Sequence, residues 1–148
     1  METIYIETTV VSYLVANPSR DSILAAHQQI TRQWWQDERM RYECVTSAET
    51  LKEARLGDVE MSRRRIEALS GLTVLSVDQP VRNLAQKFLA EGILPPAAAS
   101  DVFHSAGASQ YGSNILLTWN CRHLANPHIL KKLREFVAHH GVALPEIC

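Results

Sequence analysis

Four short apolar runs, Thr3–Ile6, Tyr42–Val45, Thr73–Val77 and Ile115–Trp119, punctuate the chain. They are too short for helices and lean on β-branched and aromatic residues, so they predict strands. Each run is nearly continuous rather than alternating, the pattern of strands covered on both faces in a parallel sheet. Helical periodicity fills the intervals. Thr8–Ala16 carries Val11, Leu14 and Val15, and Ser22–Glu38 carries Ile23, Ala26, Ile30 and Trp34. Ser47–Leu56 and Val59–Leu69 both lie between the second and third strands, so the alternation is not a simple one. Asp78 caps a predicted helix over Gln79–Ala90, with Pro80 in its first turn and Glu91-Gly92 as its stop. Ala97–Tyr111 and Pro127–His140 complete the set. Strands alternating with helices predict an α/β fold with right-handed crossovers.

Composition adds boundaries. The 148 residues suit one domain, 1–148, with 46% hydrophobic and 21% charged residues, as in globular proteins. No apolar stretch approaches a membrane span, and the N-terminus lacks the build of a signal peptide, so the expected location is the cytoplasm. Cys44, Cys121 and Cys148 are an odd, scattered set and predict no disulfide framework. A net charge of −1 offers nucleic acid no overall attraction. Two basic clusters stand out. Arg55 and Arg63 to Arg65 read as a solvated helix face; Arg122, Lys131, Lys132 and Arg134 begin two residues beyond Asn120 and are the better candidates for contacting phosphates.

The placement of the acids changes the picture most. Glu7 closes the first apolar run, Glu53 lies in the helix after the second, Asp101 opens a helix, and Asn120 follows the fourth run. In an open parallel sheet the strand C-termini line one edge, where ligands bind, so these side chains can meet in one cleft. Oxygen donors without a His/Cys cluster suit Mg²⁺ or Mn²⁺ rather than zinc. Clustered carboxylates also predict mutually raised proton affinity for Glu7, Glu53 and Asp101. Each residue has a plainer role available. Glu7 can complement a helix dipole, Asn120 can cap a turn, and His104 can be a packed histidine. Glu49 and Glu53 share a helix face, and spacing alone does not say which enters the cleft. Thr118 and Asn120 alternate with Trp119 and point to one side. Trp34-Trp35 reads as core plus a partner surface. Phosphate-loop, dinucleotide, HExxH and GxSxG signatures are absent.

Ile4-Tyr5-Ile6-Glu7-Thr8-Thr9, Ser47-Ala48-Glu49-Thr50-Leu51-Lys52-Glu53, Asp101-Val102-Phe103-His104-Ser105-Ala106 and Leu117-Thr118-Trp119-Asn120 with Arg122-His123-Leu124 resemble, in order, four motifs of PIN-domain proteins of the VapC toxin type. The resemblance implies a three-layer α/β/α sandwich around a mainly parallel sheet of four or five strands. It implies a Mg²⁺- or Mn²⁺-dependent ribonuclease with Glu7, Glu53, Asp101 and Asn120 as catalytic residues, of which Glu7, Asp101 and Glu53 hold the metal. Thr8, Thr118, Arg122 and His104 fall to substrate contacts. A cognate antitoxin and a homodimer are the implied partners. Two positions depart from the pattern: Glu7 stands where Asp is usual, and Asn120 where many members carry a fourth acid. The departures fit an alternative, a non-catalytic RNA- or protein-binding module with a degenerate metal site.

Overall fold

The computed structural model describes all residues from Met1 to Cys148. In chain order the elements are β1 (Thr3–Ile6), α1 (Thr8–Val15), α2 (Ser22–Asp37), β2 (Glu43–Ser47), α3 (Ala48–Ala54), α4 (Val59–Leu69), β3 (Thr73–Leu75), α5 (Gln79–Ala90), α6 (Ala99–Gln110), β4 (Ile115–Leu117), α7 (Pro127–Val137) and β5 (Glu146–Ile147). The strands form one sheet in the order β3-β2-β1-β4-β5, and every pairing is parallel. Register is tight at the centre, with Tyr5 opposite Val45 on one side and Leu116 on the other.

The period of two along β1 builds the layers. Ile4 and Ile6 join Val10 and Val11 of α1, Ala54 of α3 and Leu69 of α4. Trp34 and Trp35 of α2 pack against that cluster. Tyr5 points the other way, to Ala108 of α6, Leu130 of α7 and Ile147. A further cluster, with Val81, Phe88, Val102 and Leu133, binds α5, α6 and α7 together. Tyr5 and Ile6 are wholly buried, and burial of such side chains is worth about 1.5–3 kcal/mol each. The result is an α/β/α sandwich, and no helix is long and apolar enough to cross a membrane.

Sequence patterning and structure differ mainly at element ends. β2 runs on to Ser47, which leaves the helix and becomes its N-cap, accepting from the Thr50 N–H. β4 ends at Leu117; the Thr118 N–H still bonds the Cys148 carbonyl, and the Trp119 N–H then leaves the sheet for Thr9 Oγ1. A 3-10 turn at Pro96–Ala98 precedes α6, and α7 ends at Val137 rather than His140. The helix over Gln79–Ala90 has its predicted Asp78 cap. It stops where Gly92 adopts a φ of 67°, a conformation that glycine takes without steric cost. The three cysteines are free thiols. The basic cluster on α4 is paired in place, with Arg63 bound to Glu60 and Glu67 and Arg64 to Glu60.

Candidate functional site

Strand order reverses on either side of β1, so the crevice beyond the C-terminal ends of β1 and β4 is the switch point of the sheet. Glu7 is the first residue past β1 and the N-cap of α1. Its Oε2 accepts from Thr9 N at 3.1 Å, Thr9 Oγ1 at 2.5 Å and Thr118 Oγ1 at 2.7 Å. Only 2% of Glu7 is exposed. The capping role and the cleft position therefore coincide in one residue, with Oε1 left facing inward.

Opposite it, α3 delivers Glu53, and Thr8 Oγ1 donates to Glu53 Oε1 at 2.7 Å. Glu49, one turn earlier, accepts from Ser100 Oγ at 2.6 Å instead. The structure thus separates the two glutamates that spacing left equivalent. His104 stands between the carboxylates. Its Nε2 is hydrogen-bonded to Glu53 Oε1 and lies 4.0 Å from Glu7 Oε1. Fully buried, it holds its proton well above the usual histidine range: burial opposes the charge, but Tyr5, Glu53 and Glu7 around the ring outweigh it.

His104 also overturns the expectation of mutually raised carboxylates at Glu53. Burial alone pushes Glu53 up, yet the hydrogen bond and the charge of His104, with Thr8, bring it below the ordinary value. A cation between two acids replaces the repulsion that the spacing of acids implied.

Asp101 sits in the first turn of α6, near the mouth of the cleft. Its Oδ1 accepts from Asn120 Nδ2 at 3.1 Å, and its Oδ2 lies 3.2 Å from His123 Nδ1. Asn120 Oδ1 accepts the backbone N–H groups of Arg122 and His123 at 3.2 and 3.0 Å, so this amide caps its own turn while reaching Asp101. Thr118 Oγ1 accepts the Asn120 N–H at 2.9 Å and donates to Glu7, linking the two groups. Arg122 is exposed beside them.

One donor atom each from Glu7, Glu53 and His104 lies within 4.8 Å of the others. Two carboxylates and an imidazole converging at that distance fit a divalent cation. His104 thus lies among the potential ligands, where the sequence placed it with substrate contacts, and Asp101 lies in the adjoining Asn120–His123 group. His123 had no role assigned from the sequence, where its one signal was its place in the motif with Asn120.

No protein-family model matches the sequence, and no curated protein matches it. Solved structures do share the fold. A chain in the DNA-bound VapBC structure from Salmonella typhimurium superposes with a TM-score of 0.60 at 15% identity, covering 100% of this chain and 98% of that one. VapBC2 from Rickettsia felis, bound to a promoter DNA fragment, gives 0.56 at 10% identity over 99% and 97%. FitAcB from Neisseria gonorrhoeae gives 0.54 at 20% identity over 80% and 88%. The chain has the PIN-like α/β/α fold found among toxin–antitoxin structures.

Proposed function

We propose that this chain is a divalent-metal-dependent endoribonuclease, the toxin of a toxin–antitoxin pair, folded as one domain. The observation that carries the reading is the convergence of Glu7, Glu53 and His104 at the switch point, with Asp101 and Asn120 alongside. The fold shared with VapBC structures supports it. Glu7, Glu53 and His104 are the residues suited to hold the ion. Carboxylates serve Mg²⁺ and Mn²⁺ alike, whereas an imidazole is a transition-metal donor, so the set favours Mn²⁺. When bound, the ion supplies charge neutralisation at a phosphate and eases deprotonation of a water.

The chain's own residues do the rest. Thr9 and Thr118 pin one oxygen of Glu7, so the other is presented without rotation. Thr8 does the same for Glu53. Asp101, held by Asn120 and His123, presents a carboxylate at the mouth of the cleft that can orient an attacking water. Arg122, exposed two residues beyond Asn120, is placed to contact the phosphate backbone. The antitoxin is the proposed protein partner; Ile23 and Ile30 of α2, 68% and 54% exposed, form an apolar edge suited to such contact. A homodimer is the proposed assembly.

The non-catalytic alternative draws support from Asn120, whose oxygen is already engaged by two backbone N–H groups. One assay separates the readings. Purified protein is incubated with a mixed RNA substrate with Mn²⁺, with Mg²⁺ and with chelator, beside Glu7→Gln. The ribonuclease reading predicts cleavage that requires the ion and is lost in Glu7→Gln. RNA binding without cleavage under every metal condition overturns it in favour of the module.

A further inference from the structure

The face of His104 turned away from the carboxylates meets a phenol that the reading above does not use. Tyr5, in the middle of β1, is wholly buried. Its Oη lies 2.7 Å from His104 Nδ1 and 2.5 Å from Ser47 Oγ. The two rings meet edge to face, with centroids 5.7 Å apart at an interplanar angle of 72°. Ser47 Oγ also accepts the Thr50 N–H at 3.3 Å, as the N-cap of α3.

A cation on Nε2 would give this chain of hydrogen bonds a direction. With a cation on Nε2, Nδ1 keeps the ring's hydrogen and donates it to Tyr5 Oη, and the phenol O–H can donate to Ser47 Oγ. Nε2 then remains as the nitrogen that faces Glu53 and Glu7. The same chain ties together β1, the N-terminus of α3 and the middle of α6, the three elements that deliver Glu7, Glu53 and His104.

We infer that Tyr5 is a positioning residue of the candidate metal site: its phenol oxygen accepts the hydrogen of His104 Nδ1 and so holds the ring with Nε2 turned to a cation shared with Glu7 and Glu53. The inference rests on the metal-site reading of the cleft. Its physical basis is general, because a metal-ligating histidine is oriented by the partner of its other ring nitrogen, and loss of that partner weakens metal binding about 10–100-fold. Tyr5 differs from a purely packing residue in one atom, and Tyr5→Phe removes that atom while keeping the ring.

The test uses the full chain, Mn²⁺ as the probe, and two variants, Tyr5→Phe and Ser47→Ala. Calorimetric titration reads the affinity. Long-range ¹H–¹⁵N spectra of the protein loaded with Zn²⁺, a diamagnetic ion that accepts imidazole and carboxylate donors, read the His104 Nδ1–H. The expected result is a Mn²⁺ affinity about tenfold or more weaker in Tyr5→Phe, a smaller loss of the same sign in Ser47→Ala, and a shifted Nδ1–H signal in Tyr5→Phe, where that hydrogen has lost its acceptor. Wild-type affinity in every variant that folds overturns the inference, as does weaker binding with an unmoved Nδ1 signal. Wild-type protein that takes up no Mn²⁺ overturns the metal site itself and the role of Tyr5 with it.

Discussion

At the scale of single residues, Asp101 shows how much hydrogen bonding decides what a carboxylate can do. Both of its oxygens have partners, Asn120 on one and His123 on the other, and an amide of the same shape can satisfy much of that geometry. Asp101→Asn should therefore keep the fold, with a melting temperature within a few degrees of wild type. Its metal-dependent RNA cleavage should fall by about a hundredfold or more, as when a preorganised polar group is lost from an active site. Melting and cleavage measured on one preparation check this, and undiminished cleavage by the variant counts against a role for Asp101 in the reaction. The sequence showed Asp101 and Asn120 as candidates because each follows a strand or opens a helix. It did not show that they bond to one another, which depends on how the turn after β4 folds back over α6.

At the scale of elements, two threonines fasten α1 to the end of β4. Thr9 Oγ1 donates to Glu7 and accepts the Trp119 N–H at 2.8 Å, and Thr118 lies on the other side of the same carboxylate. Thr9→Val keeps the branched shape and removes the hydroxyl, leaving a backbone N–H and a carboxylate oxygen each short of a partner. A partner lost from a buried polar group costs about 1–3 kcal/mol, which for a chain of this size lowers the melting temperature by roughly 2–4 °C per kcal/mol. A melting curve matching wild type contradicts the fastening role. The helices and the four longer strands were legible because apolar spacing differs between the two kinds of element. β5 was not, since it has two residues, Glu146 and Ile147, and owes its place to pairing with Ile115 and Leu116 rather than to local pattern. The place of His104 was not legible for a similar reason. Only the packing of α6 against β1 and α3 brings it between Glu7 and Glu53.

For the whole molecule, the Glu7–His104–Glu53 group couples stability to pH. His104 has its proton affinity raised in the folded state, so its contribution is fully present below the unfolded value near 6.5 and is lost as pH rises through the folded one. Glu53 is lowered, so its contribution is present above about 4.5 and is lost as pH falls through its folded value. Metal-free protein should accordingly melt at a lower temperature at about pH 9 than at about pH 6. His104→Gln should flatten that alkaline slope whatever its effect on absolute stability. Thermal melts in chelator across this range provide the check, and an unchanged alkaline slope in His104→Gln would show that another group is responsible.

The proposed function stands on a metal centre built by Glu7, Glu53 and His104 at the switch point of the sheet. Anomalous scattering from a crystal of the wild-type chain grown with Mn²⁺ tests it most directly. A strong anomalous peak within coordination distance of Glu7, Glu53 and His104 Nε2 is the expected result. Mn²⁺ bound only elsewhere on the molecule, with His104 still hydrogen-bonded to Glu53, would rule the metal centre out.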